Sequence, residues 1–460
     1  MTGVSRRETG RMMLIVLLVA LALRIPMAMW LPEHVIWPDG QRYERVAMNL
    51  LEDHSFGSLD DNRRSVPTQP LLIAAVYSVF GKSYLALRVV SAILGALSCV
   101  VAYLLGRRLF GPVAGVFAGL LVAAYPHLVY LSALFEYPQT LGILFMASFL
   151  LALYKFLESR RTSMLFIASL LLGATILTLP TLLIFVPIFA LLVLRRDVDW
   201  RRNAIYLATA AAGVMITVGS WTLRNYVAYG HVVVVNAASG VNFWAANNEA
   251  YARWGKQGSV PMCTGPHGVT SYCLEHRQIQ AELQKRKLSR VDYVFAHEQA
   301  AWNAGMKFVR ESPAQFISLS FRRFITLWSP WPDAVHTGAA RGGSGRDAIS
   351  AITYLPVVLL ACVGLWMSAR EYWRKLIPVY ALIVVFVAPF TVFLPTMRYR
   401  LPIDFLLAIF AAIPLARLWR HLVARWLAAR NGGGGIKSAL RFGREHGEAL
   451  QHQVGNHPVR

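Results

Sequence analysis

Charge is what this chain has least of. Only 15% of its 460 residues are charged, where a soluble protein of this length carries nearer a quarter, so an ordinary soluble fold is excluded. The deficit is made up by apolar residues, which form 56% of the chain at a mean hydropathy of +0.45. Repeated apolar runs of about 20 residues, separated by short arginine-rich breaks, read as a multi-pass membrane protein. Acid is scarcer still, with 24 acidic against 46 basic residues and a net charge of +22. In a soluble protein that excess would suggest nucleic acid. Here the bases cluster beside apolar segments, as cytoplasmic anchors do, and no aromatics interleave on a basic face, so no nucleic-acid partner is expected.

Other absences narrow the chemistry. Four cysteines are too few for a disulfide framework. Cys99 and Cys362 sit in apolar segments and pack there. Cys263 and Cys273 flank a Gly/Pro/Ser-rich turn in the one long polar loop. A bridge between them fits an oxidising compartment, and two separate thiols fit a reducing one. No His/Cys spacing suggests zinc, and oxygen-ligand sites for Mg or Ca are not readable from scattered carboxylates. The expectation is therefore no cofactor, with a divalent metal not indicated. There is no Walker loop, no Ser-His-Asp ordering and no GxGxxG in a usable context. The absence of any Asn-x-Ser/Thr sequon is compatible with a bacterial source.

What is present is a regular alternation. Arg6, Arg7 and Arg11 precede a first span at about 12–30, which is long for a signal peptide and lacks a small-residue cleavage site. The loop 31–83 follows outside. Within it, Tyr43, Val46, Ala47, Leu50 and Leu51 fall on one helical face suited to the interface. Residues 70–81 are apolar but too short to cross, which predicts an interfacial half-helix. Spans are expected at about 84–105 and 113–130, then one returning near Lys155, Arg160 and Arg161, then 164–177, 182–194 and 204–223. These complete an N-terminal module over 1–223. A polar extracytoplasmic domain over 224–348 should hold a short strand at Val232–Val235 and helices over 275–310 and from Pro313. Spans at 349–368, 377–394 and 401–416 belong to a C-terminal module over 349–425, and a basic tail over 426–460 is read as disordered. The total is about ten spans with both termini cytoplasmic, since every arginine cluster at a span end falls on one side. No matching pair of Gly/Pro-broken segments marks an inverted-repeat transporter.

Several polar groups converge on the outer side. Asp39, in Trp37-Pro38-Asp39-Gly40-Gln41-Arg42-Tyr43, either caps the helix that follows or works as a base. Arg24 lies inside the first span, where an ionisable group needs a partner or a task; snorkelling is the bland alternative. Glu136 sits at the outer end of a span. Arg398 and Arg400 form a basic pair on the side where charge rules call for none, and paired guanidinium forks suit a phosphate. A carboxylate base beside phosphate-binding arginines fits attack of an acceptor hydroxyl on the anomeric carbon of a sugar whose leaving group is a lipid phosphate.

The motifs then carry a resemblance. Pro38-Asp39-Gly40-Gln41-Arg42-Tyr43 resembles the first-loop "Asp…Tyr" motif of the family 39-like glycosyltransferases of the GT-C superfamily, relatives of protein O-mannosyltransferases and lipid A aminoarabinose transferases. Arg64-Ser-Val-Pro67-Thr-Gln-Pro70 resembles the family's approach to the half-helix, with Gln69 where an aromatic is usual. Tyr84-Leu-Ala-Leu-Arg88, Trp221-Thr-Leu-Arg224-Asn225, Asn242-Phe-Trp-Ala-Ala-Asn247-Asn248 and Arg398-Tyr-Arg400-Leu-Pro402 follow in the family's order. The resemblance implies an all-α GT-C fold, a polyprenyl-phosphate-linked sugar donor, and inversion with Asp39 as catalytic base and Glu136 as second acid. It further implies Arg24, Arg398 and Arg400 on the donor phosphate, and Tyr43, Arg64, Arg88, Arg224, Asn225, Asn247 and Asn248 on substrate. The chain departs from the family in having Asp-Gly where many relatives have paired acids. It also lacks a long C-terminal domain, which leaves acceptor recognition to residues 225–348.

The expected activity is transfer of a sugar to an extracytoplasmic glycan, lipid or protein at the outer face of a bacterial inner membrane. The rivals are a polyprenyl-lipid or polysaccharide flippase, which would need polar groups along a path through the bilayer, and a non-catalytic subunit of an envelope assembly complex.

Overall fold

The computed structural model describes residues 6–31, 34–35, 38–57, 59, 63–254, 271–331 and 344–430, and among these every regular element is a helix. The N-terminal half runs α1 (Arg6–Trp30), α2 (Pro38–Glu52), α3 (Thr68–Phe80), α4 (Tyr84–Phe110), α5 (Pro112–Ala124), α6 (Pro126–Ala133), α7 (Gln139–Ser159) and α8 (Thr162–Thr178). A 3₁₀ turn over Pro180–Ile184 leads into α9 (Phe185–Val193). Next come α10 (Trp200–Val214), a π turn over Met215–Gly219, and α11 (Ser220–Tyr229). Outside the spans lie α12 (Ser239–Ala246), α13 (Glu249–Trp254), α14 (Ser271–Lys285), α15 (Arg290–Glu311) and α16 (Pro313–Leu327), before the closing α17 (Ser344–Val392) and α18 (Met397–Arg430).

Among the described residues six helices are long and apolar enough to cross a membrane, or seven if the bent pair α5–α6 is one span. An expected total of about ten is reached only by adding the shorter apolar helices Thr162–Thr178 and Pro180–Val193 and counting α17 twice. The double count has a physical basis. Tyr354, near the start of α17, has its ring 3.9 Å from the Arg400 guanidinium, and Phe390, near its end, stacks on Tyr399 at 4.8 Å. A straight helix would separate those two positions by roughly 54 Å. The chain therefore reverses inside α17, although every residue from Ser344 to Val392 is locally helical. Lys375 marks the far end of the reversal, its Nζ donating to the Arg108 carbonyl at 2.9 Å.

Basic span ends gather at that same end. Arg108 donates through Nε to Glu158 at 3.0 Å, Arg160 pairs with Asp197, and Arg417 pairs with Glu371 at 3.0 Å. Glu158 and Gln139 lie at opposite ends of α7, roughly 30 Å apart, so the polar groups near Gln139 occupy the other face.

Breaks in the helices are satisfied by buried arginines. Pro126 has no N–H to return to Val122, and α5 and α6 meet at 57°. Arg24, 1% exposed, spans this break by donating to the carbonyls of Ala123 at 2.9 Å and Val122 at 3.1 Å. Between α4 and α5 the chain turns at Gly111, whose φ of 97° suits glycine alone among common residues. The long loop also departs from expectation. Val232–Val235 forms no strand, because α11 takes its carbonyls: Asn225 donates to Val233 at 2.9 Å, Thr222 to Val234 at 3.2 Å and Trp221 to Val235 at 2.9 Å. The helix expected over 275–310 is two, α14 and α15, with Ser289 capping the second through Asp292 N. At the C-terminus α18 continues to Arg430, past the expected boundary at 425, and the rest of the tail lies outside the described residues.

Replacing Arg24 with Met should leave the Val122 and Ala123 carbonyls buried without donors and cost about 2 kcal/mol or more. Denaturant unfolding in detergent would measure this, and unchanged stability would contradict the role given to Arg24.

Candidate functional site

The amphipathic helix α2 packs its Tyr43, Val46 and Ala47 face inward and leans on α3, whose Tyr77 donates to Glu44 at 2.9 Å. Arg88 fixes the approach to α2 by donating to Leu31 O at 2.9 Å and His34 O at 3.2 Å. Asp39 sits in the first turn of α2, which begins at Pro38, so it is inside the helix rather than at its cap. Its carboxylate is held from two sides. Arg42 Nη2 donates to Oδ1 at 2.7 Å and Arg398 Nη1 to Oδ2 at 2.5 Å. Arg398 lies between the rings of Tyr137 at 5.0 Å and Tyr399 at 4.9 Å. Burial alone would raise the Asp39 carboxyl, but the charges and hydrogen bonds of Arg398 and Arg42 outweigh it and hold the group below the usual carboxylate range. Tyr43 is pushed up to about 12, by burial first and then by Asp39, and so stays a neutral phenol.

Glu136 is fully buried directly against Gly40. A Cβ on Gly40 would lie 2.3 Å from Glu136 Cγ and 2.8 Å from Val35 Cγ1. This explains the Asp-Gly pair: the space a second acid would occupy beside Asp39 belongs to Glu136, delivered from another loop. Gln69 steadies that loop by donating to the Phe135 carbonyl.

A cavity of about 260 Å³ opens in front of Asp39. Of the residues expected at the site, it brings Asp39, Tyr43, Arg64 and Arg398 to one wall system. It adds Arg42, Gln139, Thr178, Thr181, Asn236 and Asn242, with Phe386 and Phe390 as an apolar flank. Sequence reasoning missed most of these as site residues. Arg42 was detectable at i+3 from Asp39 on one helix face, whereas Thr178 and Asn236 reach the cavity only through tertiary packing.

Other expected residues are engaged elsewhere. Arg24 closes the α5–α6 break. Arg400 is buried, pairs with Asp404 at 3.2 Å, and donates to Leu327 O at 3.1 Å and Ser329 O at 2.5 Å. It does not line the cavity, because residues two apart on a helix point to different faces. Arg224 stacks among Phe56, Trp221 and Tyr229, and Asn225 holds the Val233 carbonyl. Asn247 donates to Val392 O at 3.0 Å and accepts from Arg323 at 3.2 Å. Asn248 donates to Trp244 O at 2.8 Å and accepts from Tyr251 N at 2.8 Å. Cys273 is buried, while Cys263 lies outside the described residues. Among the described residues no group of three or more His, Cys, Asp or Glu could hold a metal ion.

The loop after α11 is tied to the first loop. Arg63 pairs with Glu298 at 2.8 Å, and its carbonyl accepts from Ala237 N at 2.7 Å. Glu298 also accepts from Val241 N at 3.1 Å. These contacts set Asn236 and Asn242 over the cavity.

Residues 64–221 match the family model described as dolichyl-phosphate-mannose-protein mannosyltransferase. No curated protein sequence matches the chain. Among solved structures, the apo oligosaccharyltransferase of Archaeoglobus fulgidus superposes with a TM-score of 0.54 at 15% identity, covering 95% of this chain and 54% of its own. The same organism's oligosaccharyltransferase AglB, in complex with an inhibitory peptide and a dolichol-phosphate, gives 0.53 at 16% identity over the same shares. ArnT from Cupriavidus metallidurans gives 0.41 at 14% identity, covering 92% of this chain and 81% of its own. The chain spans about half the length of the archaeal oligosaccharyltransferase it matches. The fold is thus GT-C-like, and the chain is a multi-pass membrane protein resembling glycosyltransferases.

Two outcomes follow from this geometry. Gly40→Ala should overpack the contact with Glu136 and destabilise by about 1–3 kcal/mol, read by thermal unfolding in detergent; a neutral substitution would contradict the packing. The Asp39 pairing should also show in acid. A carboxyl whose folded pKa lies below its unfolded value of about 3.9 stabilises fully above that value and loses its contribution as pH falls through the folded one. The stability gap between wild type and Asp39→Asn should therefore be constant above about pH 5 and close only in stronger acid.

Proposed function

We propose that the protein transfers a sugar from a polyprenyl-phosphate-linked donor to an extracytoplasmic acceptor, with Asp39 as general base and inversion at the anomeric carbon. The observation that carries this reading is the Asp39 carboxylate held between Arg42 and Arg398 at a polar cavity with an apolar flank. The cavity lies at the end of the molecule away from the basic span ends, which supports an outer-face site on the reading that those ends are cytoplasmic. Support for the donor class comes from the mannosyltransferase family match over 64–221 and from the dolichol-phosphate bound by the archaeal enzyme of the same fold.

In the proposed step the donor phosphate lies against Arg398, with Arg64 as a second cation on the wall. The sugar is held by the amides and hydroxyls of Gln139, Thr178, Thr181, Asn236 and Asn242. The acceptor O–H gives its proton to Asp39 as the new O–C1 bond forms on the opposite face from the phosphate. The C1–O bond to phosphate breaks and the electron pair leaves with the phosphate, where Arg398 balances the developing charge. Glu136, behind Gly40, supports the helix that presents Asp39. Phe386 and Phe390 are the side from which a lipid tail would approach. The proposed location is a plasma membrane, with both termini cytoplasmic. A disulfide between Cys263 and Cys273 is proposed for the same outer face.

Asp39→Asn should lower transfer by about 10²–10⁴-fold while polyprenyl phosphate still protects the protein in a thermal-shift assay. Near-wild-type transfer by that variant would remove Asp39 as the base.

A further inference from the structure

Both oxygens of Asp39 are already occupied. Arg42, one turn along α2, holds Oδ1, and Arg398, at the start of α18, holds Oδ2. A carboxylate clamped in this way is a poor proton acceptor, so the arrangement needs a trigger. The two guanidinium groups also carry an unmet need. The Nε–H groups of Arg398 and Arg42 are buried without a hydrogen-bond partner, although buried donors almost always find one. Arg398 faces the cavity, beside the wall that Phe386 and Phe390 flank.

We propose, on the donor-phosphate reading above, that Arg398 is an exchange residue and Arg42 a positioning residue. A phosphate entering the cavity draws Arg398 off Asp39, leaving Oδ2 as the proton-accepting oxygen while Arg42 keeps the carboxylate oriented through Oδ1. One ion pair replaces another, so the exchange has little net electrostatic cost, and the phosphate also satisfies the idle Nε–H of Arg398. The groups facing Asp39 fit this division. Arg42 and Tyr43 come from its own helix, Tyr137 and Glu136 from the segment before α7, and Arg398 and Tyr399 from α18. Among these, only Arg42 and Arg398 touch the Asp39 carboxylate with a cation. The cycle closes without a further reactant. The acceptor proton sits on Asp39 after transfer, the departing phosphate leaves Arg398, and its return to Oδ2 expels the proton to solvent. The base is therefore armed only when donor is bound.

The test of the Arg398 exchange reads Asp39 directly and needs no transfer activity. A water-soluble carbodiimide labels protonated carboxyl groups, and peptide mass spectrometry measures the extent at Asp39 in the full-length protein at a fixed, mildly acidic pH. Undecaprenyl phosphate should raise labelling of Asp39 on the order of tenfold for each pH unit by which its pKa rises. Arg398→Gln should label at the raised level without ligand and respond no further. Arg42→Gln should lower kcat and shift the acid limb of its pH profile with KM for donor unchanged, and Arg42→Lys should restore part of both. Inorganic phosphate serves as a second probe, and a response to either phosphate supports the exchange. If undecaprenyl phosphate protects the protein in a thermal-shift assay but leaves Asp39 labelling unchanged, the exchange is wrong while the donor reading stands. If neither phosphate binds at all, both fall.

Discussion

Non-helical backbone at membrane depth must find its hydrogen bonds inside the protein, and this constraint organises the structure. A membrane enzyme that holds a polar substrate needs broken helices and loops near the bilayer surface. Each break frees carbonyls that water cannot reach. In this chain buried arginines meet that demand. Arg24 serves the α5–α6 break, Arg88 the end of α1, Arg323 the carbonyls of Ala246, Thr391 and Val392, and Arg400 those of Leu327 and Ser329. A guanidinium suits the task because its several donors reach two or three carbonyls at once. The cavity stands because these joints are closed.

That division of labour explains how much could be read from the sequence. The order of apolar runs, the amphipathic stretch after Pro38, the short half-helix at 68–80 and the polar segment after Tyr229 were legible, since periodicity and run length reflect burial directly. Glu136 was singled out by the motif around it, although its packing against Gly40 beside Asp39 was not legible, because that contact joins two loops nearly a hundred residues apart. The arginines were the hardest to sort. Arg398 and Arg400 are two residues apart in one motif, yet one faces the cavity and the other is spent on carbonyls and Asp404. Nothing in composition separates a guanidinium that binds substrate from one that closes a helix end, as both are buried cations in apolar surroundings. The separation depends on helix phase and on which carbonyls a break has freed. The reversal inside α17 was visible as a basic patch at Arg370, Arg374 and Lys375 and is hidden in the run of locally helical residues from Ser344 to Val392, so here the charge pattern was the better guide.

The pairing of Asp39 with two arginines also shows how the site holds charge of both signs near a bilayer. Isolated, the carboxylate would be costly at this depth. Clamped, it is stabilised by charge on both oxygens, and the wall around it is built of amides, hydroxyls and one apolar flank.

The tie between Arg63 and Glu298 sets a rule for recombination. Glu298 holds Arg63 while receiving the Val241 amide, so a carboxylate on α15, with the Ala237 N–H on the Arg63 carbonyl, keys the segment after α11 to the first loop. A chimaera that exchanges the segment after α11 for one of a different sequence would keep its cavity roof in register only if the newcomer brings an acid to that point. Conversely, moving the Arg63 and Glu298 pair together would let one membrane module accept a range of segments after α11, which makes this contact a natural seam for recombination.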